Sequence, residues 1–268
     1  MKRSTSGVNL RPLAIAVTAV AVGVMSASLA GRQSPAAQLN RLSTADQRAG
    51  WKLLFDGQTL NGWRAYDAQR DPAKSWSAVD GCLRNAKNDG RPGSGGGDIV
   101  TVEQYTDFDF RFDWRISRGG NSGIKYFVLE RLGAPGAVMY VGDDGRSAVG
   151  HEYQLLDDAE HPDAKNGPIR QAGALYSLVP PGPAKRLNAV GEFNESRILV
   201  QGKHVEHWLN GAKVVEYELE SPALLEAVAK SKYKDIPNFG TKFKTRLLLQ
   251  DHGDEVWFRN LRIRPLVP

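Results

Sequence analysis

The chain has 268 residues, 41% of them hydrophobic and 24% charged, with a formal net charge of +5. The first thirty residues hold three Lys or Arg and no acid, so the remainder, with 32 basic and 30 acidic residues, carries only +2, a balance that argues against a nucleic-acid partner. Cys82 is the single cysteine, which excludes an internal disulfide and leaves stability to a packed core.

In chain order, Lys2, Arg3 and Arg11 precede an apolar run, "LAIAVTAVAVGVMSASLA", that ends on the small residues Ser28 and Ala30. Residues 1–30 read as a signal peptide with a cut after Ala30, which implies a periplasmic or secreted protein of a bacterial cell. The run approaches the length of a membrane span, but its Ala-rich end favours cleavage over retention. Residues 31–48 read as a mobile leader, with a helical turn over "STADQRAGW" capped by Ser43 or Thr44. Order is expected from near Trp51, and residues 49–268 form one domain.

Strands dominate that domain. Asp80-Gly81 and Asn210-Gly211 each lie between short apolar runs, and both dipeptides tolerate the positive φ of a two-residue hairpin. "FDFRFDWRI" places Phe108, Phe110, Phe112 and Trp114 on one face and Asp109, Arg111, Asp113 and Arg115 on the other, the period of a half-buried strand. One helix is predicted, with Ser221 as N-cap and Pro222 at the first helical position before "ALLEAVAKSKY". Many strands and one short helix predict an all-β antiparallel sandwich or barrel. The Gly-rich stretch at 89–98 lacks the Lys-Ser/Thr ending of a phosphate loop and is expected to be a flexible surface loop. Cys82 is expected to be a small buried hydrophobe.

Three polar clusters break the apolar pattern at strand positions. "GGNSGIKYFV" puts Asn121 and Ser122 ahead of a strand in which Lys125 alternates with apolar neighbours. "GHEYQLLDD" places Glu152 and Gln154 on one face of a strand, with Tyr153, Leu155 and Asp157 on the other. "LLLQDHGDEVWFRN" runs from leucines into Gln250, Asp251 and His252 at a Gly253 turn. Any single Glu or Gln here is more often a solvated group, and His252 alone is evenly balanced between a structural histidine and a working base. Arg259 and Asn260 suit turn and edge hydrogen bonding.

With "WKLLFDGQTLNGW", "GALYSLVPP" and "GEFNESRILVQGKHVEHWLNG", these segments, in this order from Trp51 to Leu266, resemble the DUF1080 family, the 3-keto-disaccharide hydrolases. The family's usual Gly-Glu-Trp-Asn appears here as Gly191-Glu192-Phe193-Asn194, one aromatic for another. The resemblance implies a concanavalin A-like lectin/glucanase jelly roll with ligand on its concave sheet. It also implies cleavage of 3-keto-glycosides: a base removes the acidic C2 proton, the C1 group is eliminated, and water adds to the enone. Glu152 and His252 are the expected base and acid, in either order. Lys125 is expected to face the enolate, and Gln154, Asn121, Gln250 and Asp251 to hold hydroxyls. Asp157, on the opposite strand face, is the third catalytic candidate, placed to orient His252 or to support the fold.

Carboxylate, histidine and amide groups are able to ligate a divalent cation, but no spacing here compels one and no cofactor is assigned. No nicotinamide or flavin fingerprint occurs, so a separate sugar oxidoreductase is expected to make the ketone. Two rival readings stand beside this one. A retaining glucanase would use Glu152-x-Gln154-x-x-Asp157 as its catalytic strand, yet the middle acid is an amide and the third is shortened. A non-catalytic carbohydrate-binding module would stack sugars on Trp63, Trp76 or Trp208.

Overall fold

The alternation in "FDFRFDWRI" becomes strand β6 (Phe108–Ile116), with Phe108, Phe110, Phe112 and Trp114 each at most 1% exposed. Burying each such side chain contributes about 1.5–3 kcal/mol, and replacing Phe110 by Ala would cost about 3–5 kcal/mol. On the other face Asp109 is closed over by Arg111, Arg197 and Arg264. The computed structural model describes Met1 and residues 39–89, 95–129 and 148–267, so the signal-peptide run and residues 31–38 of the leader lie outside the described residues.

Around β6 the chain builds β1 (Lys52–Leu53), β3 (Trp76–Val79), β4 (Cys82–Asn85), β9 (Asn194–Gln201), β10 (His204–Leu209), β11 (Ala212–Glu218) and β13 (Val256–Pro265) into one antiparallel sheet. Its order is β11-β10-β9-β6-β13-β4-β3, with β1 also on β13. A second antiparallel sheet has the order β2-β5-β12-β7-β8, from β2 (Trp63–Ala65), β5 (Ile99–Thr101), β7 (Asn121–Tyr126), β8 (His151–Leu156) and β12 (Leu248–Leu249). The two sheets form the expected all-β jelly-roll sandwich. Both predicted hairpins are present: Asp80 and Gly81 (φ 51° and 72°) join β3 to β4, and Asn210 and Gly211 (47° and 81°) join β10 to β11.

Polar groups also stitch the sheets together across the core. His207 donates from Nδ1 to Gly173 O (3.1 Å), so its Nε2 accepts from Tyr126 Oη (2.7 Å). Tyr126 then accepts from Tyr217 Oη (2.8 Å), which accepts from His151 Nδ1 (2.8 Å). This ordering leaves His151 Nε2 a buried acceptor with no partner. Burial pushes His151 down to about 3 and His207 down to about 4, so both rings are neutral in the folded state.

Helix α2 (Pro222–Ala229) has Ser221 as its cap and packs Leu224 and Val228 inward; it ends at Lys230, short of the predicted run. Helix α1 (Thr44–Arg48) carries a Ser43/Asp46 capping box. Order begins earlier than Trp51, because Asn40 is buried and exchanges hydrogen bonds with the backbone N–H and side-chain oxygen of Asn260 while donating to Gly81 O. Cys82 is buried, as expected. The described end of the Gly-rich stretch is no surface loop: Gly95 and Gly96 are buried, and a β-carbon on Gly95 would stand 2.6 Å from Asp251 Oδ2.

Candidate functional site

Strand periodicity decides where the site lies. On the five-stranded sheet Ile99, Ile124, Tyr126, Tyr153, Leu155 and Leu249 belong to the inter-sheet core, whereas Val100 and Leu248 join a separate small cluster with Val128 and Ala148. Residues in phase with Val100 and Leu248 therefore occupy the face turned away from the core. The register Val100–Leu248–Lys125–Glu152 forms one row across the sheet, and Gln250, Gly123 and Gln154 belong to the next. Asn121 and His252 continue the same face at the sheet end.

Glu152 is 5% exposed, and its Oε2 lies 3.7 Å from Lys125 Nζ, which donates to Ala148 O at 2.9 Å. Gln154 stands between Glu152 and Asn121. Its amide nitrogen reaches Asn121 Oδ1 at 3.3 Å in one orientation and, turned over, donates to Glu152 Oε1 at 3.3 Å and Ser122 O at 3.2 Å. A carboxylate at Glu152 favours the second orientation, because the first sets the amide oxygen against it. Asn121 Nδ2 then lies 3.4 Å from His252 Nε2, so polar groups run from the buried floor at Glu152 to the exposed His252 at the rim.

The rim is also built from the segment after β8. His161 meets His252 edge-on at 6.4 Å between centroids, and burial, then the charge of His252, lowers its pKa from the ordinary histidine value. Tyr176 donates to Asp163 Oδ2 (2.8 Å), accepts from Arg170 (2.5 Å), and its backbone N–H donates to Glu152 O (3.0 Å). Burial opposes ionisation of Asp163, but hydrogen bonds from Asn166 and Tyr176 and the charge of Arg170 hold its carboxyl below the usual range.

Two acids named from the sequence have other tasks. Asp157 is buried on the opposite strand face, where it accepts from the N–H groups of Gly119 (2.7 Å), Ala159 (3.1 Å) and Glu160 (3.3 Å). This closes the turn after β8. Asp251 accepts from Ser75 Oγ, Asn88 Nδ2 and the N–H groups of Gly97 and Gly253, between 2.9 and 3.1 Å. It leaves no lone pair idle for a sugar hydroxyl and serves to fold the Gly-rich segment. The tryptophans are not sugar platforms on this face. Trp63 and Trp76 are core residues, and Trp208 lies on β10 of the other sheet, donating to Glu206 Oε2 at 2.7 Å.

Asp98 was missed. It closes the glycine run just before β5, and its Oδ1 accepts from Asp251 N at 2.9 Å. Burial pushes its carboxyl up to about 6, with Lys125 pulling it down and Asp251 pushing it up. The signal was there: an acid at a strand end, like those at Asn121 and Gln250, but hidden by the reading of its neighbours as a loose loop. Among the described residues, His204, Glu206 and Glu216 bring acid and histidine ligand atoms within 4.8 Å of one another, on β10 and β11 of the other sheet.

Comparison with known proteins sets this geometry in a family. Residues 50–264 match the family profile described as the 3-keto-alpha-glucoside-1,2-lyase-like domain. A 3-keto-disaccharide hydrolase of Bacteroides thetaiotaomicron is 34% identical over 251 residues, covering 86% of this chain and 83% of that protein. A crystal structure of a Parabacteroides distasonis ATCC 8503 protein, put forward as a glycosyl hydrolase, superposes with a TM-score of 0.71 at 30% identity, over 86% of this chain and all of the other. A second from the same organism, also put forward as a glycosyl hydrolase, gives 0.55 at 26% identity over 81% of this chain and 99% of the other.

Proposed function

The chain belongs to the 3-keto-alpha-glucoside-1,2-lyase-like family, and from that premise we propose that it is an exported carbohydrate hydrolase that cleaves glycosides already oxidised at C3. The observation that carries this reading is a buried carboxylate, Glu152, set 3.7 Å from a buried ammonium, Lys125, with a histidine at the open rim. That is a base, a cation for an oxyanion and an acid on one sheet face.

Glu152, on the floor, removes the C2 proton, and the electron pair moves into the C2–C3 bond as the C3 oxygen becomes an enolate facing Lys125. The enolate then re-forms the ketone and expels the C1 oxygen, which takes a proton from His252, leaving a C1–C2 double bond conjugated to the ketone. Water adds at C1 and a proton returns to C2, so the net change is hydrolysis. His252 takes the acid role because it is exposed, and a departing aglycone must leave toward solvent. Gln154, Asn121 and Gln250 hold ring hydroxyls, which need partners once they lose water.

A retaining glucanase needs two carboxylates about 5–5.5 Å apart. Asp157 lies on the wrong face for that. The backbones of Asp98 and Glu152 stand three strand spacings apart, about 14 Å at roughly 4.8 Å per strand. A binding module needs no acid–base pair.

The substrate's ketone is supplied by a separate sugar oxidoreductase. The signal-peptide pattern supports export with a mature N-terminus at Gly31, which mass spectrometry of protein from the periplasm or medium would test. Among the described residues no helix is long and apolar enough to cross a membrane.

The deciding experiment is to offer the purified protein one 3-keto-glucoside and its unoxidised parent. Aglycone release from the keto compound alone, with solvent deuterium entering at C2, is expected. Equal rates on both compounds would favour the glucanase, and binding without release the module.

A further inference from the structure

Two oxygen atoms on the site face are buried and without a partner: Asp98 Oδ2 and Gln250 Oε1. Both residues are more than nine-tenths buried, at 9% and 6% exposure. They are also neighbours. Ile99 pairs with Leu249 and Leu249 with Ile124, so the next step along the ladder sets Asp98 beside Gln250 and Gln250 beside Gly123. Asp251 N–H holds Asp98 Oδ1 at 2.9 Å. Gln250 is tied through its backbone, N–H to Gly123 O (3.0 Å) and O from Ser122 Oγ (2.9 Å). Each residue is thus fixed while one of its acceptors stays idle.

A buried acceptor left idle costs free energy comparable to a lost hydrogen bond. The cost is recovered if a ligand brings donors. Two idle acceptors call for two donors. A metal cation is disfavoured by the Lys125 ammonium that acts on Asp98, and a neutral ligand rich in O–H groups is favoured.

We propose that Asp98 Oδ2 and Gln250 Oε1 form a paired acceptor subsite that takes two hydroxyl donors of the sugar ring, which makes Asp98 a substrate-binding residue. The proposal rests on the carbohydrate reading of the site. The groups that face Asp98 are Lys125 from β7, with Glu152 of β8 beyond it, Asp251 from the end of β12, and the backbone N–H of Ala148, which with Asp251 N–H favours the charged carboxylate. On its own side lie Arg70, beside Gly97, and Tyr66, whose backbone N–H donates to Asp98 O. With the carboxyl titrating at about 6, the charged acceptor is present above that pH. It is lost below, where a proton on the carboxyl turns an acceptor into a donor.

The test measures binding of methyl α-glucoside and its 2-, 4- and 6-deoxy analogues by titration NMR, together with kcat and KM on a 3-keto-glucoside from pH 5 to 8. Wild type, Asp98→Asn and Gln250→Leu are compared. Asp98→Asn is expected to weaken binding roughly tenfold, the scale of one charge-assisted hydrogen bond, and to raise KM more than it lowers kcat. One deoxy analogue should bind wild type and Asp98→Asn alike, because the hydroxyl and its acceptor are lost together. Wild-type KM should climb as pH falls below about 6, and Asp98→Asn should lack that limb. Gln250→Leu, which adds no donor, should show the same matching with a different analogue. The proposal is overturned if both variants bind every ligand as wild type does, or if the losses are uniform across the analogues with an unchanged pH profile. Matched losses in binding without cleavage of any keto-glycoside would keep the subsite and sink the reaction. Cleavage with unaltered variants would do the reverse.

Discussion

Gly123 leaves, on the strand beside Glu152, the space into which that carboxylate folds: a β-carbon on Gly123 would stand 2.2 Å from Glu152 Oε1 and 2.9 Å from its Cδ. The glycine is needed for room, not for backbone freedom. Gly123→Ala must push the carboxylate off the sheet floor. A displacement of about 1 Å is enough to cost on the order of a hundredfold in turnover, while the fold loses only about 1–3 kcal/mol. Steady-state kinetics beside a urea melt would check this, and full activity would show that the position of Glu152 is not what the reaction uses.

Glu152→Gln and His252→Ala should each lower turnover by roughly a hundredfold or more, the scale for losing a positioned proton-transfer group. The two should differ in stability. His252 is exposed, so its loss should shift unfolding by no more than about 0.5 kcal/mol. Glu152→Gln takes from the buried Lys125 the carboxylate 3.7 Å away and should cost more. Either variant turning over normally would remove that residue from the mechanism.

Asp251→Ala should destabilise the fold by about 2–3 kcal/mol. It strands donors on Ser75 and Gly97 that the carboxylate now satisfies, and an unsatisfied buried donor costs about 1–3 kcal/mol. Chemical denaturation measures the loss. A stability within about 0.5 kcal/mol of wild type would mean that the Gly-rich segment does not depend on Asp251.

Stability should fall as the solution is acidified below about 6.5. His151 and His207 have folded pKa values lowered to about 3 and about 4, so between those values and 6.5 the unfolded chain binds protons that the folded one does not. Each histidine contributes up to about 1.4 kcal/mol per pH unit over that window. Asp98, raised to about 6, opposes them between about 6 and 4, since there it is the folded state that takes up the extra proton. His151→Phe should flatten the slope of unfolding free energy against pH by about one proton. An unchanged slope would show that His151 is not held neutral.

Much of the sandwich was legible along the chain. The alternation of β6, the Asp80-Gly81 and Asn210-Gly211 turns and the Ser221 cap are local features, written within a few residues and realised as read. Glu152 and Gln154 on one face and Asp157 on the other also followed from the period of a strand. Two of the readings that went astray share one reason. Trp63 and Trp76 were offered as sugar platforms, and Gly95–Gly97 were read as loose loop, because a residue's burial depends on what the rest of the chain lays over it.

Fold class, hairpins, helix and the polar identity of the strand ends are local properties, since they rest on side-chain period and turn chemistry between near neighbours. Which polar groups meet depends instead on long-range pairing. Asp98, Gly123, Glu152 and Gln250 come from four strands or strand ends up to 152 positions apart. The sheet register that sets Ile99 against Leu249, Leu249 against Ile124, and Lys125 against Glu152 is fixed by long-range ladders. No local pattern records which acceptors are left idle when those ladders close, because that depends on every other donor within reach being already taken.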